Sequence, residues 1–195
     1  MNYNELKSLG LPPEVWSLIQ RGLNHAGFYR GTYRGKPGEK TKAAYEMYIK
    51  GDSNEPEWMQ VARGEIGTKE FLGSADNPEV VKYLKSVDNL SISAQRNDET
   101  AWCSAFVNWC LEQAGIKGTK NAAARTWLKW GNKLTTPEPG CIVVLWRGSP
   151  VGWMGHVGFF VRETSNYVYL LGGNQSDQVN ISKYPQERIL EYRNN

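Results

Sequence analysis

The chain has 195 residues, 40% hydrophobic and 22% charged, close to the globular norm, so wholesale disorder is excluded. Mean hydropathy is −0.56, and the longest unbroken apolar run, Cys141 to Trp146, falls far short of the roughly 18 residues a membrane span requires. The 23 Lys/Arg barely exceed the 20 Asp/Glu, yet the excess is concentrated: residues 1–50 carry eight basic residues against four Glu, the remainder fifteen against sixteen. This asymmetry reads either as a solvated basic face or as attraction to an anionic polymer.

Residues 1–50 read as a small all-helical domain. Pro12 and Pro13 suit a helix start, where a missing N–H costs nothing. Val15, Trp16, Ile19, Leu23 and Ala26 then recur at helical spacing, and Gly27 suits the stop. A loop punctuated by Gly27, Gly31, Gly35 and Gly38 leads to a second helix whose apolar face is Ala44, Tyr45, Tyr48 and Ile49. Residues 51–57, nearly devoid of apolar side chains, read as a linker. No apolar signal core opens the chain, MNYNELKSLGLPPEVWSLIQ, so no secretory signal peptide is expected.

Residues 58–195 begin with helices. Trp58, Val61 and Ala62 mark one; Asn77-Pro78-Glu79 is a cap, first-turn and early-acid signature ahead of Val80, Val81, Leu84 and Val87. A longer helix is expected over 99–114, with Asp98 or Thr100 as its cap and Trp102, Cys103, Phe106, Val107, Cys110, Leu111 and Ala114 as one stripe. A shorter one follows over 122–130. From residue 141 the period switches: CIVVLWR, HVGFFVRE, NYVYLL, QVNISKY and RILEYR are short β-branched and aromatic runs separated by turn signals. Helices followed by neighbouring strands indicate an α+β domain with an antiparallel sheet.

Three cysteines, Cys103, Cys110 and Cys141, with no CxxC pair, argue against both a disulfide framework and a structural zinc site. Asp98 and Glu99 are too few ligands for a cation, so neither metal nor cofactor is expected. The only histidines are His25 and His156. Cys103 falls near a helix start, where free N–H groups and the dipole favour a thiolate; it is a candidate nucleophile, or else a buried core cysteine. Cys110 and Cys141 read as core. His156, flanked by glycines in GWMGHVGFF, leads into a strand and is either a structural histidine or a base for Cys-His acyl transfer. Asn174, in LLGGNQSD, is the first candidate to orient the imidazole, Asp177 the second, and a plain turn asparagine the alternative. Trp102 and Trp153 are candidates for the groove walls, although tryptophans also suit core packing.

WCSAFVNWCLEQAG, followed by PGCIVVLWRG, GHVGFFV and LLGGNQSDQV, resembles the CHAP amidases and NlpC-type cell-wall peptidases, over about residues 55–193. The resemblance implies a papain-like α+β core and hydrolysis of an amide bond in peptidoglycan, with Cys103 as nucleophile, His156 as base and Asn174 as orienter. Cys141 departs from the pattern, since such relatives usually carry an acid after Pro-Gly. The first 50 residues resemble, more loosely, a small peptidoglycan-binding domain, which makes Tyr29, Arg30, Tyr33 and Arg34 candidates for contacting the wall; packing in a tiny core is the other use for the tyrosines. The whole resembles a modular phage endolysin. That implies a monomer with bacterial peptidoglycan as partner and no stable association with membrane or nucleic acid. It would accumulate in the host cytoplasm and act on the wall after release. An exported toxin of the same chemistry, a nucleic-acid-binding module and a cytosolic cysteine hydrolase acting on protein are the competing readings.

Overall fold

In the computed structural model, residues 1–26, 28, 29, 32–51, 55–71, 73 and 75–195 are described, apart from the side chain of His25. Two compact units emerge, Met1–Ser53 and Asn54–Asn195.

The first unit holds α1 (Tyr3–Ser8), α2 (Pro13–His25) and α3 (Glu39–Lys50). Helix α1 is absent from the sequence reading, because it is too short to show a period. Its signal is the capping box: the Asn2 side chain accepts from the Glu5 N–H, and the Glu5 carboxylate accepts from Asn2 N–H. Helix α2 starts at the double proline, as its chemistry requires. Leu23, Tyr29 and Ala44 form a buried cluster flanked by Ile19, Phe28, Tyr45 and Tyr48.

The second unit stacks helices on one sheet. Helices α4 (Glu57–Gly64), α5 (Pro78–Leu84) and α6 (Cys103–Gln113) precede strands β1 (Asn132–Leu134), β2 (Ile142–Trp146), β3 (Gly155–Glu163), β4 (Tyr167–Gly172), β5 (Asn180–Pro185) and β6 (Ile189–Asn194). The six strands lie in the order β1-β6-β2-β3-β4-β5, with every named pair antiparallel. Strand β1 escaped the sequence reading because Asn-Lys-Leu lacks β-branched and aromatic residues. The segment expected as a helix over 122–130 is the 3-10 turn Ala124–Lys129. This is an α+β fold in which helices pack on one antiparallel sheet.

Helix α6 is the central piece, buried nearly all round. Phe106 meets Phe159 of β3 edge-on at 6.4 Å. The two buried polar side chains of α6, Ser104 and Asn108, are satisfied: the Ser104 hydroxyl donates to the Asn121 carbonyl at 2.6 Å and accepts from Trp127 Nε1 at 2.8 Å. The Asn108 amide donates to the Ser104 carbonyl and accepts from the Lys120 N–H. A stripe of apolar residues therefore understates how much of this helix is inside. A second buried cluster on the sheet joins Cys141, Val143, Leu145, Phe160, Val168 and Leu170.

A candidate cysteine–histidine active site

Helix α6 starts at Cys103, with Trp102 as its N-cap and no side-chain capping bond. The expected caps do other work. The buried Asp98 carboxylate accepts from the N–H groups of Phe71 and Asn77, at 3.0 and 2.8 Å, and ties two loops together. The Thr100 hydroxyl donates to the Ala94 carbonyl. The later start puts Cys103 at the first helical position, where backbone N–H groups lack intrahelical acceptors.

The backbone N–H groups of Val157 and Ser104, and that of Cys103 itself, favour the thiolate form of the Cys103 sulfur. Val157 is free to do this because β3 outruns its neighbour: pairing with β4 begins only at Phe159, opposite Leu171. Burial nevertheless dominates and pushes the Cys103 thiol above its ordinary pKa, against the pull of these amides and of the Arg147 charge. Burial likewise raises Cys110 far up and takes Cys141 to about 12, and all three cysteines are free thiols. Neither of the latter two has the donor set that Cys103 has.

His156 immediately precedes Val157, so the β3 start carries one residue to the thiol and the next into a buried polar network. Its Nε2 lies 3.1 Å from Gln175 Oε1 and 3.2 Å from the Tyr184 hydroxyl, whose ring stands 5.1 Å away between centroids. The tautomer follows from the partners. Gln175 Nε2 donates to the Leu170 carbonyl and to both oxygens of Asn180, at 3.3, 2.6 and 3.1 Å. Its amide orientation is thereby set, and Oε1 can only accept. Oε1 takes one bond from the Tyr184 hydroxyl at 2.9 Å and another from His156. His156 Nε2 must carry the proton, and Nδ1 is left with a free lone pair. Burial lowers the imidazole to about 4, the Gln175 bond opposes that shift, and the charges of Arg188 and Arg147 add to it. At neutral pH the pair is thus thiol and neutral imidazole.

The imidazole's partner is therefore Gln175, which corrects the assignment to Asn174. The Asn174 carboxamide turns the other way. In the orientation that satisfies its neighbours, its oxygen accepts from both the backbone and the indole N–H of Trp102, each at 3.2 Å. The cause is backbone geometry. Asn174 has φ +54°, and Ser176 and Asp177 are also left-handed, so the strand alternation that aimed Asn174 at the site is broken one residue early. Gly173 fixes the approach: a Cβ there would stand 2.3 Å from the Trp102 ring and 2.7 Å from Phe106 Cβ. Asp177 is exposed and lends its carbonyl to the Glu70 N–H.

Gln175, Asn180, Ser182 and Tyr184 were missed. A signal was present: Asn180, Ser182 and Tyr184 alternate along β5 and so share one face. Polar residues repeating on a strand's covered face announce a hydrogen-bond network. The Ser182 hydroxyl donates to Asn180 Oδ1, and Asn180 Nδ2 to the Gln175 carbonyl, which completes it.

The candidate groove residues divide. Trp102 is fully buried among Tyr83 and Phe106, with its indole N–H on Glu70 at 2.7 Å, and is core rather than groove wall. Trp153 is 85% exposed in the loop between β2 and β3. In the first unit Tyr29 is buried, its hydroxyl on the Thr32 carbonyl, so it too is core and not a wall contact. Tyr33 and Arg34 are exposed, and Arg30 lies outside the described residues. Among the described residues no group of three or more His, Cys, Asp or Glu side chains could hold a metal, and no helix is long and apolar enough to cross a membrane.

A helix-start cysteine, a strand-start histidine and an amide bonded to the imidazole are the residue types that Cys-His acyl transfer uses. Residues 95–174 match the family model of the CHAP domain. Cys103 and His156 fall inside that match, whereas Gln175, Asn180 and Tyr184 lie just past it. Among solved structures the chain is similar to a Staphylococcus aureus protein described as similar to a lipoprotein of the NLP/P60 family. The two are 15% identical with a TM-score of 0.42, over 94% of this chain and 61% of that one. No curated protein sequence matches the chain.

Proposed function

We propose that residues 58–195 are a cysteine-dependent amidohydrolase that cleaves an amide bond of bacterial peptidoglycan. The observation that carries this reading is that two successive residues of β3 serve the two groups: His156 carries the imidazole, its Nε2 held by Gln175, and the Val157 N–H favours the Cys103 thiolate. The CHAP match over residues 95–174, which include Cys103 and His156, supports it.

In the proposed reaction His156 Nδ1 takes the Cys103 proton as sulfur attacks the scissile carbonyl carbon. The electron pair of the C=O bond moves to oxygen. The resulting oxyanion is met by N–H groups at the helix start, each worth roughly 3 kcal/mol in comparable sites. As the tetrahedral carbon collapses, the C–N bond breaks and the imidazolium returns its proton to the leaving amine. Water, deprotonated at the same Nδ1, then cleaves the thioester and restores the thiol. Gln175 holds the ring through both steps.

The whole chain is proposed to work as an endolysin-like module that accumulates in the host cytoplasm and acts on the wall after release. Residues 1–50 would hold the wall through Arg30, Tyr33 and Arg34. The test is turbidity clearing of purified peptidoglycan. Cys103→Ala and His156→Ala abolish it while circular dichroism keeps the wild-type fold; full activity in Cys103→Ala overturns the proposal. Mass spectrometry of the fragments identifies the bond.

A further inference from the structure

One charged side chain beside the site has no part in the reaction above. Arg147 follows the last residue of β2, and its N–H donates to the Met154 carbonyl at 3.3 Å, which continues the β2–β3 ladder outward. In that ladder Leu145 stands opposite His156. Residues two apart on a strand leave the same side of the sheet, so Arg147 emerges on the side of the imidazole, one repeat nearer the loop. Its charge reaches both reacting groups, lowering the Cys103 thiol and the His156 imidazole alike.

Three further observations say what this cation is for. First, its guanidinium is exposed and, among the described residues, has no hydrogen-bond or ion-pair partner. The other cation felt at His156 is already committed: Arg188 donates twice to the Trp146 carbonyl, at 3.1 and 3.0 Å, and lies 5.4 Å from the Tyr184 ring centroid. Second, the charges that act on the two groups are cationic, Arg147 at Cys103 and both Arg188 and Arg147 at His156. Third, the loop that begins at Arg147 is preformed. The Arg125 guanidinium donates to the carbonyls of Ser149, Pro150 and Met154, at 2.9, 3.0 and 2.9 Å. A guanidinium left open on a rigid support is suited to bidentate capture of a planar anion.

We infer that Arg147 is the binding subsite for a substrate carboxylate, so that the amide hydrolysed is one flanked by a free carboxylate, as in an acidic wall peptide. This rests on the amidohydrolase reading and narrows it to a substrate class. The site takes acidic stem peptides and discriminates against those whose carboxylates are amidated.

The test uses paired soluble muropeptides that differ only in a free or an amidated carboxylate beside the scissile bond. With the full-length protein, Arg147→Gln raises KM for the acid substrate roughly ten- to hundredfold, the range expected for a charge-assisted pair. It changes KM for the amidated one less than about twofold, so the wild-type preference collapses. An equal loss on both substrates overturns the inference, because Arg147 would then act on the thiol rather than on substrate. No change on either overturns it as well. Calorimetric binding to Cys103→Ala, with and without Arg147→Gln, separates this inference from its foundation. Failure of the wall-hydrolase reading appears as no binding of either muropeptide. Failure of the carboxylate subsite alone appears as equal binding of both.

Discussion

The two units spend their aromatic and polar residues in opposite ways. In Met1–Ser53, Tyr3, Trp16 and Tyr29 are buried, and Gln20, also buried, bonds to Lys36, Thr41 and Gly35 and so holds its own loop. So small a unit needs its large side chains for a core. In Asn54–Asn195, Tyr83, Trp102, Phe106 and Phe159 close a core without help. The buried polar residues His156 and Gln175 are then surplus to packing, and they hold each other. A buried aromatic in the first unit is accounted for by packing, whereas a buried imidazole bonded to a buried amide, as in the second, marks a candidate site.

The largest expected effect sharpens that contrast within two adjacent residues. Gln175→Ala removes the acceptor that sets the His156 tautomer and lowers kcat by about 10²-fold or more. Asn174→Ala leaves the imidazole untouched, and its loss appears mainly as lower thermal stability, because Trp102 loses an acceptor. Steady-state kinetics beside a melting curve check the pair. Comparable kcat losses in both variants would put Asn174 back among the groups that act on the ring.

The second prediction concerns pH. His156 titrates near 4 in the folded protein because burial disfavours the imidazolium. The unfolded chain, with an ordinary histidine near 6.5, binds more protons between these values, so stability falls as pH drops. The loss is about 3 kcal/mol between pH 6.5 and 4 for this group. Chemical denaturation across that window, compared with His156→Gln, isolates it. The acid limb of kcat/KM has its midpoint near 4 on the same ground. Gln175→Glu moves that limb upward, because a carboxylate on Nε2 favours the charged ring. An unmoved limb would mean that the titrating group is not this histidine.

Much of this was legible in the sequence, and the misses share a cause. The helix-then-strand order, the double-proline start of α2 and the Asn77-Pro78-Glu79 start of α5 depend on local chemistry, which the residues carry themselves. Cys103 and His156 stand out as candidates because each sits at an element boundary with few rivals of its type. Asn174 was misassigned because its direction depends on a left-handed turn that few non-glycine residues adopt. Trp102 and Tyr29 show the other limit. An aromatic beside a motif packs inward or outward according to neighbours distant in sequence, here Tyr83 and Glu70 for Trp102, Leu23 and Ala44 for Tyr29.

The smallest effects test the first unit, where two nearby tyrosines are expected to separate cleanly. Tyr29→Phe deletes the hydroxyl that donates to the Thr32 carbonyl at 3.2 Å and keeps the ring in its cluster. The unit then loses about 1 kcal/mol of stability, and retention on insoluble wall is unchanged. Tyr33 is 42% exposed, with the Arg21 guanidinium 5.9 Å from its ring centroid. Tyr33→Ala therefore changes stability by less than about 0.5 kcal/mol, yet weakens pull-down by wall several-fold if this face makes the contact. The converse pattern, with binding lost in Tyr29→Phe and kept in Tyr33→Ala, would shift the contact away from the exposed ring. Loss in neither would leave residues 1–50 a structural role alone, since their aromatics would then serve only the core they fill.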